Sequence, residues 1–268
     1  MVVAPVTLWL RRLGDNLSGG LMGRNGNAVN ATPATPAPAG PAIRRSTARR
    51  RLGRREQLSD EVAAHLRVAI MSGSLRPGTY IRLDDTAAEL GVSMMPVREA
   101  LRTLRGEGMV QLEPHRGHVV SPLTRDDIED LFWLQITIAA ELVRTAATRI
   151  TDEQIDELER LAETVATAVD HHDADEVATA EFAFHRALNR AAGRMKLAWF
   201  LLHATRYLPP HIYANDAQWG IDAVANHRQV ITALRSRDVD AVVRLTTEQF
   251  TDGARMLTAR LDEVGLWT

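Results

Sequence analysis

The segment Gly91–Leu104, inside the stretch Leu83–Val120, constrains this chain more than any other. Val97, Ala100, Leu101 and Leu104 recur at i, i+3, i+4 and i+7, which is one apolar stripe of an α-helix. Arg98, Arg102 and Arg105 recur at i, i+4 and i+7 on a different face. Ser93 suits the N-cap, and Pro96 is tolerated in the first turn. Upstream, Asp84–Leu90 reads as a short helix that begins on acidic residues, and Gly91 supplies the left-handed residue that ends it. A helix, a tight glycine turn and a helix with a basic outward face form a helix-turn-helix pattern.

The next residues extend the pattern. Met109–Leu112 reads as a strand, Pro114-His115-Arg116-Gly117 as a turn, and His118–Val120 as a returning strand. A hairpin directly after such a helix is the wing of a winged helix, with His115 and Arg116 at its tip. Each piece alone fits an ordinary small α/β domain with a solvated charged helix. The pieces in this order favour DNA binding, with Ser93, Met94, Met95, Arg98, Arg102, Arg105, His115, Arg116 and Gly117 as the residues facing the duplex.

Leu75-Arg76-Pro77-Gly78, Leu90-Gly91-Val92-Ser93, Pro96-Val97-Arg98-Glu99-Ala100-Leu101, Glu107-Gly108 and Arg116-Gly117 resemble the winged-helix domain of GntR-family bacterial transcription regulators. The resemblance covers about Leu58–Pro122. In that family an Arg that reads DNA, and usually a Thr, follow the Ser of the turn; here Met94 and Met95 stand there. The departure leaves the domain reading intact and removes the family's usual base contact.

The 268 residues leave room for a second domain. With 45% hydrophobic and 25% charged residues, the composition is that of a soluble globular protein. There is no Cys, which excludes disulfides and thiolate zinc sites. No apolar run reaches membrane-spanning length. Met1–Leu10 is apolar, but Arg11 and Arg12 follow it, where a secretory signal has its basic residues first; a cytoplasmic location is expected. The net charge of −2 conceals an asymmetry. Pro41–Pro122 carries 14 Arg against 9 acidic residues, a net +5, whereas Leu123–Thr268 carries 15 basic against 24 acidic residues, a net −9. A basic module joined to an acidic one fits a DNA reader attached to a domain that does not touch DNA.

Three segments follow. Residues 1–55 read as a disordered arm, Pro/Ala-rich through Pro41 and then dense in arginine at Arg44, Arg45, Arg49, Arg50, Arg51, Arg54 and Arg55. Such an arm either adds phosphate contacts or is a solvated tail. Residues 56–122 form the winged helix-turn-helix, with a first helix over Leu58–Ser72 and a short strand at Tyr80–Leu83. Residues 123–268 read as an all-α bundle of six or seven helices, so the chain as a whole is mainly α. Thr124–Asp127 and Thr151–Gln154 look like helix-start boxes, and Asp173 or Asp175 starts another helix. A stripe of Ile128, Leu131, Ile138 and Leu142 marks the first bundle helix. Trp199–Leu208 continues helical until Pro209-Pro210, and His227–Leu234 and Asp238–Leu261 are the last helices.

An acidic helical domain behind this winged helix resembles the FadR-type branch of the family, with its ligand-binding and dimerisation (FCD-like) domain. The resemblance implies a homodimeric regulator, more often a repressor, that binds a near-palindromic operator under the control of a small effector. In many members a metal is held by an Asp-x3-His pair and two later His. The matching positions here are Glu181, His185, His227 and Gln249, with Glu for Asp and Gln for the last His. Glu181 and His185 lie i, i+4 on one helical face, and carboxylate with imidazole suits Zn, Ni or Mn. An Arg that pairs with effector carboxylates is common on the branch's first bundle helix; Gln135 is the nearest position here. If Phe182, Phe184, Trp199, Tyr207, Tyr213 and Trp219 line a pocket, a fatty-acyl effector suits it better than a small polar acid. Otherwise His185 and His227 are hydrogen-bonded interior residues and the aromatics are core.

Two other functions compete. A metal-dependent hydrolytic enzyme rests on the Glu181/His185/His227 set alone and has no use for a helix-turn-helix. A helical interaction module with a vestigial winged helix rests on Met94, against which Arg98, Arg102 and Arg116 all count.

Overall fold

In the computed structural model of the chain, residues 46–207 and 213–267 are described. Helix α1 spans Ser46–Met71, β1 is Tyr80–Ile81, α2 is Leu83–Glu89 and α3 is Met94–Gly106. Strands β2 (Val110–Glu113) and β3 (Gly117–Val120) follow. Six helices complete the described chain: α4 (Arg125–Arg149), α5 (Asp152–Asp170), α6 (Ala174–Ala191), α7 (Met195–Thr205), α8 (Ala217–Arg235) and α9 (Val239–Val264).

The described chain forms two compact units. One holds the part of α1 through His65 with Arg82–Leu104; the other holds Leu66–Ile81 with everything from Arg105 onward. In the first, α2 ends as its sequence demands. Gly91 adopts φ +64, the Gly91 N–H donates to the Ala88 carbonyl, and the Val92 N–H reaches back to Ala87 at 3.0 Å. Helix α3 then buries Pro96, Val97, Ala100, Leu101 and Leu104, which contains the whole expected stripe.

In the second unit, β3 is the centre of an antiparallel sheet of order β1-β3-β2. Val110 pairs with Val120 and Glu113 with Gly117, while Tyr80 pairs with Val119. The six long helices form a bundle in which α9 packs along α4 and α8, and α5 packs against α6 and α8. Thr124 and Thr151 each close a reciprocal capping box, with Asp127 and Gln154. Asp173 caps α6 by accepting from the Asp175 and Glu176 N–H groups. Ile155, Leu158, Ala162 and Val165 from α5 meet Phe184 and Leu188 from α6 and Val230, Ile231 and Leu234 from α8 in one core.

The structure moves several boundaries. Ser46–Arg55, expected to be unstructured, belongs to α1; its Ala, Arg and Leu residues are good helix formers and it contains no proline. Residues 1–45 lie outside the described residues, as do Pro209 and Pro210. Helix α8 begins at Ala217 rather than His227, capped by Asp216, whose side chain accepts from the Trp219 N–H. Gly220 masks that start in the sequence, because glycine inside a helix reads as a break. It is there for close packing: a Cβ at Gly220 would stand 2.9 Å from Val169 Cγ2 on α5. On α4, Leu131 and Ile138 are only half buried; Ile128, Phe132, Gln135, Ala139 and Leu142 face the core. The expected stripe had the right period and was rotated on the helix.

Helix α9 ends at Gly265, with φ +66, and Leu266 beyond it is buried. Gly73, with φ +78, lies beneath Val264, so closely that a Cβ there would clash with Val264 Cγ1, whereas nothing lies within 4 Å of a Cβ on Gly265. Gly265→Ala is therefore expected to cost about 1–2 kcal/mol, the left-handed penalty alone. Gly73→Ala should cost about 2–5 kcal/mol, because overpacking adds to the same penalty. Urea midpoints of the two variants check the order, and equal losses would refute the packing of Val264 on Gly73.

Candidate functional site

Burial of one face of α3 sets the other face outward. Ser93 precedes the helix and is exposed; Met94 and Met95 open it at 53% and 39% exposure. Arg98, Arg102 and Arg105 are exposed along the same side. Arg102 contacts Glu99 at 3.2 Å, an exposed pair that holds it weakly. Among the described residues no carboxylate pairs with Arg98.

The β2–β3 turn carries His115 at φ +66 and Gly117 at φ +101, and Arg116 stands between them with its side chain exposed. Arg116 is not free. Its Nη1 donates to the Tyr80 hydroxyl at 3.3 Å and lies 3.8 Å from Glu113, while Tyr80 donates to Glu113 at 2.6 Å. The Tyr80 hydrogen bond is also the main reason the Arg116 guanidinium holds its proton more firmly than usual. Tyr80 was not among the sequence candidates, and only the strand register that places β1 beside β3 brings it to the turn. His118 titrates below its ordinary value, first because it is partly buried and second because Arg105 is near.

The bundle brings together residues that the sequence scatters over three helices. Glu181 and His185 project from α6, His227 from α8 and Gln249 from α9. Glu181 Oε2 lies 3.3 Å from His185 Nε2 and 3.5 Å from His227 Nε2, and Gln249 Nε2 lies 3.4 Å from His227 Nε2. One ligand atom from each of Glu181, His185 and His227 falls within 4.8 Å of the others. His227 is fully buried and stacks on Phe184, with centroids 3.8 Å apart. Burial pushes its imidazole down to about 4, so His227 is neutral at neutral pH. Burial pushes the Glu181 carboxyl up, while the neighbouring imidazoles, His185 by a hydrogen bond among them, pull it down, for a net shift below its ordinary value.

The other expected members are placed elsewhere. Gln135 is fully buried, and its Nε2 donates to the Ala204 carbonyl on α7 at 3.2 Å. Of the six aromatics, Phe184 meets the cluster. Tyr207 donates to the Glu107 carbonyl, Tyr213 to the Gly253 carbonyl beside Trp219, and Trp199 is half exposed. Phe182 is half buried. Phe250, next to Gln249, was not singled out in the sequence; its ring lies 6.4 Å from that of His185.

These residues fit a divalent cation. A carboxylate and two imidazoles are a donor set for a borderline ion, and the second Glu181 oxygen, Oε1, is buried with no hydrogen-bond partner. Among the described residues His227 Nδ1 is also buried without a hydrogen-bond partner. Gln249 can turn its carbonyl oxygen to the cation, as a weaker fourth donor.

Comparison with known proteins agrees with both parts of the chain. Residues 58–120 match the model of bacterial regulatory proteins of the gntR family, and residues 130–252 match the FCD domain. The gluconate operon transcriptional repressor of Bacillus licheniformis is 27% identical over 202 residues, covering 71% of this chain and 81% of that protein. The transcriptional repressor RspR of Escherichia coli K12 is 27% identical over 210 residues, covering 75% and 90%. Among solved structures, McbR/YncC of E. coli superposes with a TM-score of 0.60 at 20% identity, covering 76% of this chain and 98% of that one. With its winged-helix match and its FCD match, the chain belongs to the GntR family of DNA-binding transcription regulators.

Proposed function

We propose that this regulator is a homodimeric repressor. Residues 56–122 bind the operator, and residues 123–268 dimerise and hold a small effector that controls binding. The observation that carries the DNA half is the outward face of α3, where Arg98 stands exposed without a carboxylate partner while the opposite face is fully buried. The relatives named as repressors support the sign of regulation. Among the described residues no helix is long and apolar enough to cross a membrane, which agrees with a cytoplasmic location. Arg98→Ala should weaken specific operator binding by about 1–3 kcal/mol while leaving helical content unchanged. Titration of operator DNA at fixed salt measures this, and an unaltered Kd would remove α3 from the groove.

Dimerisation is assigned to the exposed apolar residues of α7, Met195, Trp199 and Phe200, with Trp133 and Leu134 of α4 as further large, apolar and exposed side chains. Exposed acids Glu129 and Asp130 lie on α4, and exposed Lys196 lies on α7, so a second copy can meet this surface with opposite charge. The double variant Trp199→Glu/Phe200→Glu should sediment as a monomer at micromolar concentration, where wild type sediments as a dimer. A dimeric variant would move the interface elsewhere.

The effector site is the Glu181–His185–His227–Gln249 cluster. Its residues would hold Zn, Ni or Mn, which when bound supplies a Lewis acid for an anionic oxygen of the effector, such as a carboxylate. Because Gln135 brings no charge, this chain does not offer the arginine that a carboxylate would otherwise pair with there. A fatty-acyl chain would instead need apolar walls of the kind Phe184 and Phe250 present. Each of the three ions, added to chelator-treated protein, should raise Tm by mass action, and His185→Ala should abolish the shift. Gln249→His should enlarge it, since imidazole is the stronger ligand. No response from either wild type or Gln249→His would exclude a metal.

A further inference from the structure

The start of α3 is apolar where the rest of its outward face is basic. Met94 and Met95 are the first two residues of the helix, and both are exposed. At 100° per residue, Met94 and Arg98 project about 40° apart, and Met95 and Arg102 about 20° apart. The methionines therefore share the crest of the arginines. One exposed methionine is ordinary on any surface. Two in succession, on the crest of a helix that meets DNA and within its first turn, put apolar surface where base edges are reached. The proline that follows them, Pro96, is buried and packs that turn against the domain, so the methionines are held on an anchored element.

A thioether has no proton to donate and accepts hydrogen bonds weakly. It cannot make the bidentate contact to guanine O6 and N7 that an arginine makes, nor the one that asparagine makes to adenine. The single apolar group on the floor of the major groove is the C5-methyl of thymine. We propose that Met94 and Met95 are specificity-determining residues that read thymine methyl groups at the half-site bases nearest the start of α3, with Arg98 supplying the adjoining polar contact. The charge of the arginines draws the duplex, and the methionines then favour sequences with a methyl in reach. The inference rests on α3 entering the major groove, as proposed above.

The test uses the full chain. Its operator is selected from a random duplex pool, and each thymine of the half-site is then replaced in turn by uracil, which removes the methyl and keeps base pairing. At one or two positions, replaced symmetrically in both half-sites, wild-type affinity should fall by about threefold to tenfold. Met94→Ala or Met95→Ala should bind the thymine operator less tightly and lose its discrimination against uracil at the corresponding position. Met95→Leu, which stays apolar, should keep discrimination, and so should Arg98→Ala. Repeating the selection with Met94→Arg should replace a thymine by guanine. Thermal melts that match wild type establish that the variants are folded, as expected for exposed positions. If no thymine-to-uracil change affects wild type, or if both alanine variants discriminate as wild type does, the proposal fails while operator binding stands. If no sequence is enriched from the pool, operator binding itself fails, and the proposal with it.

Discussion

The complete burial of one side of α3 decides which of its side chains face outward. Val97, Ala100, Leu101 and Leu104 expose none of their surface. Four side chains without solvent contact fix the rotation of a helix about its axis, because turning it by one residue would expose leucine and bury arginine. Truncating one of the leucines would cost about 2–5 kcal/mol, and the expense of burying an unpaired guanidinium forbids the alternative rotation. The crest of Met95, Arg98 and Arg102 is thus a consequence of core packing. The exposed side chains of α3 are positioned by those that see no solvent.

In the bundle the governing constraint is electrostatic. A buried carboxylate is tolerated only when its charge is answered, and Glu181 is answered by the imidazole of His185 and by the polar edge of His227. Both answers are partial. His227 is neutral because burial outweighs the attraction of Glu181 for its proton. Among the described residues, Glu181 Oε1 and His227 Nδ1 are buried without a hydrogen-bond partner, as are the amide oxygens of Gln135 and Asn226 elsewhere in the bundle. A structural hydrogen-bond network would be expected to close on itself. Here the open valences of Glu181 and His227 fall on atoms of the kind that ligate a cation.

The sequence disclosed whatever depends on local period and capping. The helix-turn-helix was legible because a glycine stop and a four-residue stripe lie within Leu90–Leu104, and both capping boxes were legible because their partners are three residues apart. Convergence of Glu181, His185, His227 and Gln249 was foreseen through family resemblance, since no periodicity relates helices so distant in sequence. What stayed hidden depends on one helix touching another. Gly220 looks like a break until Val169 is seen against it. Gln135 of α4 is buried where α7 meets it, and the Ala204 carbonyl receives its amide. Tyr80 becomes part of the turn only through a strand pairing that spans 36 residues to Arg116.

Other long-range contacts tie the bundle to the end of α1, the turn after it and Glu107. Helix α9 carries Gln249 near its middle and ends in a cluster where Asp262 pairs with Arg125, at the start of α4, and accepts from the Trp267 indole. The Arg76 guanidinium donates to the Val264 carbonyl at 3.3 Å, so the turn after α1 is held by the same helix end. A second tie runs through Arg67, which grips Glu107 with two hydrogen bonds of 2.7 Å, while Tyr207 beyond the end of α7 donates to the Glu107 carbonyl. The arginine–glutamate pair is largely withdrawn from solvent and bidentate, which makes it far stiffer than the exposed pairs on the bundle surface. Helices α7 and α9 each hold a polar group of the bundle interior, Ala204 or Gln249, and each is fastened near one end to the segment that leads into or out of the helix-turn-helix.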